Sequence, residues 1–290
     1  MNVPKRGTAP FSRKRFGQNF LKPAWVDRVI RAIEPKPDET FIEIGPGRGA
    51  LTRPLAARAK HVVGFEIDRD LAAELQATAP PNVTIVQGDF LQAAANPESR
   101  IPNPTELRVA GNLPYNVASP ILFKLIDLYA GGLPLLDATV MLQREVADRL
   151  LAGPRTRDYG VLAILIRHSA DVEHLLALPP GAFRPVPKVR SSLVRLRFRS
   201  PNPPVRDPTV FARLVQAVFT RRRKTLANAL LAVGTGAPLY SEGLLSPRTA
   251  LAEAGLDGSR RPETLSITEF GRLADIYARH ANGRSLTRKP

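Results

Sequence analysis

The sequence predicts an α/β fold in two parts: a parallel, doubly wound sheet followed by a small, all-helical C-terminal domain. The first observation is an alternation of short β-rich runs with helical stretches, which is typical of βαβ units. The β-rich runs span 40–45, 61–68, 83–90 and 107–112, and the helical stretches span 49–59, 69–79 and 119–130. The unit is completed by the segments 138–152, 162–178 and 191–199. The second observation is a proline-rich stretch at 200–208, beyond which apolar residues recur at helical spacing in 209–233 and 267–280.

These boundaries divide the chain into three predicted segments. Residues 1–24 form an N-terminal arm, and its first 15 residues carry five Lys or Arg and no acid. Residues 25–200 form the sheet domain. Residues 201–290 form the helical domain, which is basic, with 14 Lys or Arg against 7 Asp or Glu.

The charge balance restricts the class of partner. The chain has 42 Lys or Arg against 26 Asp or Glu, a net charge of +16, which favours nucleic acid or an anionic membrane surface. No apolar run approaches the roughly 18 residues of a membrane span, so nucleic acid is the favoured partner, although a GC-rich genome also raises the arginine count. With no Cys and four scattered His, we expect no metal site and a reducing, cytoplasmic compartment. We also expect a monomer.

A cofactor site is predicted where the first strand meets the first helix. Gly45 and Gly47 are spaced G-x-G-x-G, unlike the G-x-G-x-x-G fingerprint of dinucleotide enzymes. Glu66 closes the next strand, where it could accept from both hydroxyls of a ribose. Asp89 closes the third strand and could accept from an adenine amine, with Phe90 against the ring. This series favours S-adenosyl-L-methionine, and a dinucleotide enzyme with a divergent turn is the alternative.

The fourth strand ends in "NLPY", residues 112–115, which suits methylation of adenine N6. The N6 lone pair is delocalised into the ring, and acceptors that hold the N6 hydrogens localise it. Asn112, which we also expect to line the cofactor site, offers its side-chain oxygen, and Leu113 offers its carbonyl. Pro114 stiffens the turn and Tyr115 can stack on an extruded base. Read by itself, the motif is equally a turn with a capping Asn.

At this point the sequence resembles the ribosomal RNA adenine dimethyltransferases, over nearly the whole chain. Within that family it is most similar to the small-subunit type. The matching segments are 13–21 (RKRFGQNFL), 42–52, 65–71, 88–91, 111–116, 181–196, 219–230 and 259–274. The resemblance implies S-adenosylmethionine-dependent dimethylation of N6 of two adjacent adenosines near the 3′ end of 16S rRNA in the small ribosomal subunit or its precursor.

Two alternatives stay open beside this function. One is a large-subunit (23S) rRNA adenine methyltransferase of the antibiotic-resistance type, which shares the fold and the "NLPY" motif. The other is a ribosome-assembly checkpoint or RNA-binding factor in which catalysis is secondary.

The resemblance also implies roles for residues outside the strand ends. Asn19 and Leu21 of the N-terminal arm would close over the methionine side of the cofactor. Phe183 would be the second stacking face for the adenine, and a core aromatic is its alternative. The basic segment that would meet RNA phosphate comprises Arg221, Arg222, Arg223 and Lys224. Four consecutive cations on a helix point in several directions, so only some of them could do so.

Overall fold

A computed structural model describes residues 19–93, 106–234 and 245–282 of the chain. The predictions for the first 18 residues of the N-terminal arm lie outside these ranges. The strands are β1 (Phe20–Leu21), β2 (Thr40–Ile44), β3 (His61–Glu66), β4 (Val83–Gln87), β5 (Leu107–Asn112), β6 (Leu135–Gln143), β7 (Ala170–Leu178), β8 (Phe183–Arg184) and β9 (Ser191–Phe198).

The helices occupy most of the stretches that the periodicity predicts. They are α1 (Pro23–Ile33), α2 (Thr52–Ala56), α3 (Arg69–Thr78), α4 (Phe90–Ala93), α5 (Ala118–Ala130), α6 (Arg144–Leu151), α7 (Val161–Ser169), α8 (Pro208–Thr220), α9 (Leu226–Leu230), α10 (Pro247–Ala254) and α11 (Ile267–Asn282). No helix within the described ranges combines the length and apolar character needed to span a membrane.

The predicted doubly wound sheet is confirmed. Seven strands form one sheet in the order β4-β3-β2-β5-β6-β9-β7, and the first five of these pair in parallel. Chain order runs outward from β2 to β4 on one side and from β5 to β6 on the other. The strand order therefore reverses between β2 and β5, and open α/β sheets bind ligands at the carboxyl ends of strands at such a switch point.

A buried ion cluster anchors β5 at the end opposite the switch point. Arg108 donates to both carboxylate oxygens of Asp137 at 3.0 and 2.8 Å and to Glu39 at 2.8 Å. Arg108 and Asp137 are both buried. Removing one partner of a buried pair costs about 3–5 kcal/mol because the other charge is left unpaired, so this cluster fixes how β5 lies against β6.

The chain divides into two compact units that are not consecutive in sequence. The first holds the described residues up to 124 together with 133–143 and 175–193, and the second holds 125–132, 144–174 and 194 onward. The sequence predicts a boundary near residue 200 because of the prolines there, whereas the second unit already includes residues 125–132 and 144–174. Tyr159 and Ile164 belong to the same apolar core as the C-terminal helices, and the Tyr159 hydroxyl donates to the Leu265 carbonyl at 3.0 Å.

One predicted helix is interrupted. The stretch 209–233 has helical periodicity throughout, but α8 ends at Thr220 and α9 begins only at Leu226. Arg221 leaves helical geometry with φ −117° and ψ 35°, and Thr225 caps the next helix with an extended backbone. The four consecutive cations at 221–224 therefore form a turn and do not lie on a helix face.

Candidate active site

The glycine turn after β2 lies beside the end of β5, because the strand register places Ile44 opposite Gly111. In both segments a glycine lets the backbone lie close to a neighbouring group. A Cβ at Gly111 would lie 2.6 Å from the Ile44 carbonyl oxygen, and one at Gly47, whose φ is +58°, would lie 3.1 Å from the Phe20 ring. The result is a cavity at the switch point lined by the glycine turn, by apolar side chains and by a few polar ones.

Glu66 ends β3 with its carboxylate against this turn. Its Oε2 accepts from the Gly47 N–H and its Oε1 from the Asp68 N–H, both at 2.8 Å. Burial raises the pKa of Glu66 although both backbone donors oppose the rise. Each carboxylate oxygen has further lone pairs, so Glu66 can still accept hydroxyl donors from the cavity that it lines.

Glu43, near the end of β2, lines the first cavity, although the sequence placed it only at the junction of strand and helix and gave it no role. Its side chain is almost fully buried, and burial raises its pKa to about 8. The nearby Thr52 hydroxyl opposes this rise, but neither the Glu43 Oε2 nor that hydroxyl has a partner at normal hydrogen-bond geometry among the described residues. The sequence carries a weak signal, since an acid within an otherwise apolar strand, "FIEIG", is unusual.

Asp89 and Phe90 line a second cavity, which adjoins the first and shares Gly45 and Pro114 with it. Asp89 Oδ1 accepts from the Leu91 N–H at 3.0 Å. Phe90 is buried and packs edge-on against Phe65, with ring centres 5.5 Å apart. The predicted ribose and adenine residues therefore lie along one continuous edge, on two neighbouring cavities.

Asn112 has a fixed side-chain orientation. Its Nδ2 donates to the Asn19 backbone carbonyl at 2.6 Å, and it lines the first cavity. A carbonyl oxygen only accepts hydrogen bonds, so the amide nitrogen must face Asn19. The Asn112 Oδ1 is consequently the end of the carboxamide that can accept a hydrogen bond from a ligand.

The rest of the "NLPY" turn is held by neighbouring strands. The Leu113 N–H donates to the Met141 carbonyl at 3.2 Å. The Tyr115 hydroxyl and the buried Ser191 hydroxyl lie 2.8 Å apart and share a hydrogen bond. This bond fixes the edge of the Tyr115 ring, which lines the same cavity as Asn112.

The N-terminal segment closes one side of the first cavity. β1 pairs antiparallel with β8, so that Leu21 lies opposite Phe183. Phe20, which the sequence reasoning did not single out, lines the cavity with Leu21, and the Arg48 guanidinium lies 4.8 Å from the centre of its ring. The Asn19–Asn112 contact thus depends on a short strand held by β8 and by the glycine turn.

Phe183 differs from its expected role. It is fully buried in the core that includes Leu21 and Leu193, and it lines neither of the two cavities. In this arrangement Phe183 has no free face for a base, because its strand pairing with β1 points it into the core. A stacking role stays a prediction that requires β1 and β8 to move.

The four cations of the basic turn at 221–224 differ in exposure and in ion pairing. Arg222 is half-buried, and its Nε donates to Glu263 Oε2 at 2.6 Å. The predicted contact of Arg222 with RNA phosphate stays a prediction, and the ion pair shows that Arg222 also has a structural role. Arg221, Arg223 and Lys224 are exposed. Among the described residues, no group of three or more His, Asp or Glu side chains could hold a metal ion.

The fold and the site define a class of protein: the Rossmann-like methyltransferases, with a glycine turn and acidic residues at successive strand ends. Among the solved structures that resemble this chain, two cover about nine-tenths of it. A dimethyladenosine transferase from Plasmodium falciparum has a TM-score of 0.68 at 24% identity and covers 88% of this chain and 95% of its own. The 23S rRNA methyltransferase ErmE has a TM-score of 0.60 at 29% identity and covers 90% and 100%.

Sequence comparison gives the family. A model of the ribosomal RNA adenine dimethylase family matches residues 11–251. A protein of Pseudomonas fluorescens named "Ribosomal RNA small subunit methyltransferase A" is 43% identical over 92% of this chain and 94% of its own length. One of the same name from Acinetobacter baylyi is 41% identical over 91% and 92%. The chain belongs to the ribosomal RNA adenine dimethylase family.

Proposed function

We propose that this chain transfers methyl groups from S-adenosyl-L-methionine to N6 of two adjacent adenosines near the 3′ end of small-subunit (16S) rRNA. The observation that carries the proposal is the Asn112 carboxamide at the switch point, with its amide nitrogen on the Asn19 carbonyl and its oxygen left for a donor. An exocyclic amine of adenine is a donor of the matching kind.

The residues present fit this cofactor. Two buried carboxyl groups, Glu43 and Glu66, line the first cavity, and the Glu43 Oε2 lacks a partner among the described residues. Buried carboxyl groups with free hydrogen-bonding atoms suit a polar ligand. Glu66 would hold the ribose hydroxyls, Asp89 the adenine amine, and Asn19 with Leu21 would cover the methionine side. When bound, the cofactor would supply a methyl group activated by a positively charged sulfur, and that sulfur would keep the electron pair of the broken S–C bond and leave as a neutral thioether.

The chain then has to localise the lone pair of the target nitrogen. Asn112 Oδ1 and the Leu113 carbonyl accept the two N6 hydrogens, which moves the nitrogen toward tetrahedral geometry and frees its lone pair for attack. The Tyr115 ring, fixed through Ser191, stacks on the base and holds N6 in line. As the new N–C bond forms, positive charge on N6 is stabilised by the same two oxygens.

The proton that N6 loses needs no strong base. A methylated aminium is acidic, so Asn112, a backbone carbonyl or water can take it. N6-methyladenine keeps one hydrogen, and either acceptor can hold it. The same pocket therefore serves the second transfer.

The choice of substrate is supported by the relatives named for the small subunit, which match this chain over nine-tenths of its length. The similarity to a 23S rRNA methyltransferase structure makes the large subunit the second candidate.

The test compares Asn112→Ala with the unmodified protein on small ribosomal subunits that lack the dimethyl marks. We expect Asn112→Ala to bind these subunits normally and to lose methyl transfer by a factor of about 10² or more, as for loss of one transition-state contact. Asn228→Ala, at an exposed position in α9, is the control. Dimethylation by Asn112→Ala at the normal rate would overturn the pocket assignment.

A further inference from the structure

Arg222 connects two surface segments of the second compact unit. Its Nη2 donates to the carbonyls of Arg157 and Thr156 at 2.5 and 3.4 Å, while its Nε is paired with Glu263. The Glu263 carbonyl in turn accepts from the Arg155 N–H at 2.8 Å. The turn 221–224 and the loop 153–158 are therefore fastened side by side through one arginine and one glutamate.

The two fastened segments present cations to solvent. Arg155 and Arg157 in the loop are exposed, as are Arg223 and Lys224 in the turn. Within the described ranges, none of these four side chains forms a hydrogen bond or an ion pair. Asp158 is the one acid in the loop, so the paired segments keep a clear excess of positive charge around the neutralised Arg222–Glu263 contact.

Arg155 occupies a backbone conformation that normally favours glycine. Its φ is +71°, a region that costs free energy for a residue with a Cβ. The loop is held there by the Arg155–Glu263 backbone bond and by the Thr156 hydroxyl, which donates to the Gly153 carbonyl at 2.7 Å. An arginine at such a position is not explained by the local fold, which glycine would satisfy better.

We propose that Arg155 and Arg157 join Arg223 and Lys224 in one surface that binds the phosphate backbone of RNA, with Arg222 as its internal support. We call this surface the two-segment patch. It rests on the proposed function in one respect, that the substrate is RNA. Four exposed cations on two adjacent segments suit a polyanion, whereas a single turn would offer fewer contacts.

The test measures binding of the full chain to a short A-form RNA duplex at several salt concentrations. We expect Arg155→Gly and Arg157→Gln each to weaken binding several-fold at low salt. Each lost phosphate contact should lower the log–log salt slope by about 0.7–0.9. The matched control is Arg248→Gln, an exposed arginine of α10 outside the patch, which should leave affinity and slope unchanged.

Arg155→Gly separates binding from folding. Glycine relieves the positive φ, so the melting temperature should stay equal or rise while RNA binding falls. Arg222→Gln should instead lower the melting temperature, because it leaves Glu263 unpaired and frees the loop, and binding should fall with it. A purely structural loop would show the stability changes alone.

Two results would overturn the proposal: no measurable RNA binding by the unmodified chain, or loop variants whose affinity and salt slope equal those of Arg248→Gln. The duplex assay does not depend on which ribosomal subunit is methylated. If the patch proposal is wrong, the chain can still methylate ribosomal subunits at saturating protein. If the proposed function is wrong, the salt dependence of duplex binding can still be measured for each variant.

Discussion

Glu43→Gln should change how the stability of the free protein depends on pH. Burial raises the pKa of Glu43 from 4.5 to about 8, whereas in the unfolded chain it returns to an ordinary value. Between these limits the folded state keeps a proton that the unfolded state has lost. Stability from this group is therefore fully present below about pH 4.5 and is lost as pH rises toward 8.

The magnitude follows from the proton difference. One proton corresponds to about 1.4 kcal/mol per pH unit, so the native protein should lose about 3 kcal/mol through Glu43 between pH 5.5 and 7.5. Glutamine has nearly the same shape and no proton to lose. The free energy of unfolding of Glu43→Gln, relative to the unmodified protein, should thus rise by about 3 kcal/mol over this interval.

The assay is urea unfolding of the cofactor-free protein at pH 5.5, 6.5 and 7.5, with Glu74→Gln as control. Glu74 is an exposed acid of α3, and its substitution removes the same charge without burial. Its stability difference from the unmodified protein should be nearly constant across the three pH values. If Glu43→Gln also gave a constant difference, the carboxyl would titrate normally and the reasoning about the cavity wall would be refuted.

Three further variants test the placement of the site. Asn112→Asp puts an oxygen against the Asn19 carbonyl in place of the donor now 2.6 Å away, so kcat should fall by about 10²-fold or more; activity near normal would refute the orientation argument. Tyr115→Phe keeps the ring and loses the hydrogen bond to Ser191. Because such a bond is worth about 1 kcal/mol, kcat should fall only about five-fold. A loss of kcat as large as that of Asn112→Asp would show that the hydroxyl has a chemical role. Phe20→Ala removes the ring beside the glycine turn and should weaken S-adenosylhomocysteine binding about ten-fold by calorimetry, as expected for a lost aromatic contact of about 1.4 kcal/mol; unchanged affinity would mean that this ring does not shape the cofactor cavity.

Strand ends could be predicted from the sequence because they depend on local pattern. Glycines after one strand and an acid at the end of the next share one edge in any parallel sheet, whatever the loops do. This placed Gly45, Glu66 and Asn112 along the cavities that the structure shows.

Contacts between distant positions could not be predicted. The Asn19 carbonyl that orients Asn112 is 93 residues away, and Glu263 is 41 residues from Arg222. Periodicity also continued across residues 221–224, although the chain turns there, because apolar residues on both sides keep helical spacing. Phe183 was assigned to the site by resemblance, while its pairing opposite Leu21 turns it into the core.

The most direct test of the central claim is methyl transfer from labelled S-adenosylmethionine to isolated ribosomal subunits, followed by mass spectrometry of the nucleosides. We expect label only with small subunits that lack the marks, recovered as N6,N6-dimethyladenosine at two adjacent positions near the 3′ end of 16S rRNA. Label in large subunits, with small subunits unmodified, would contradict it.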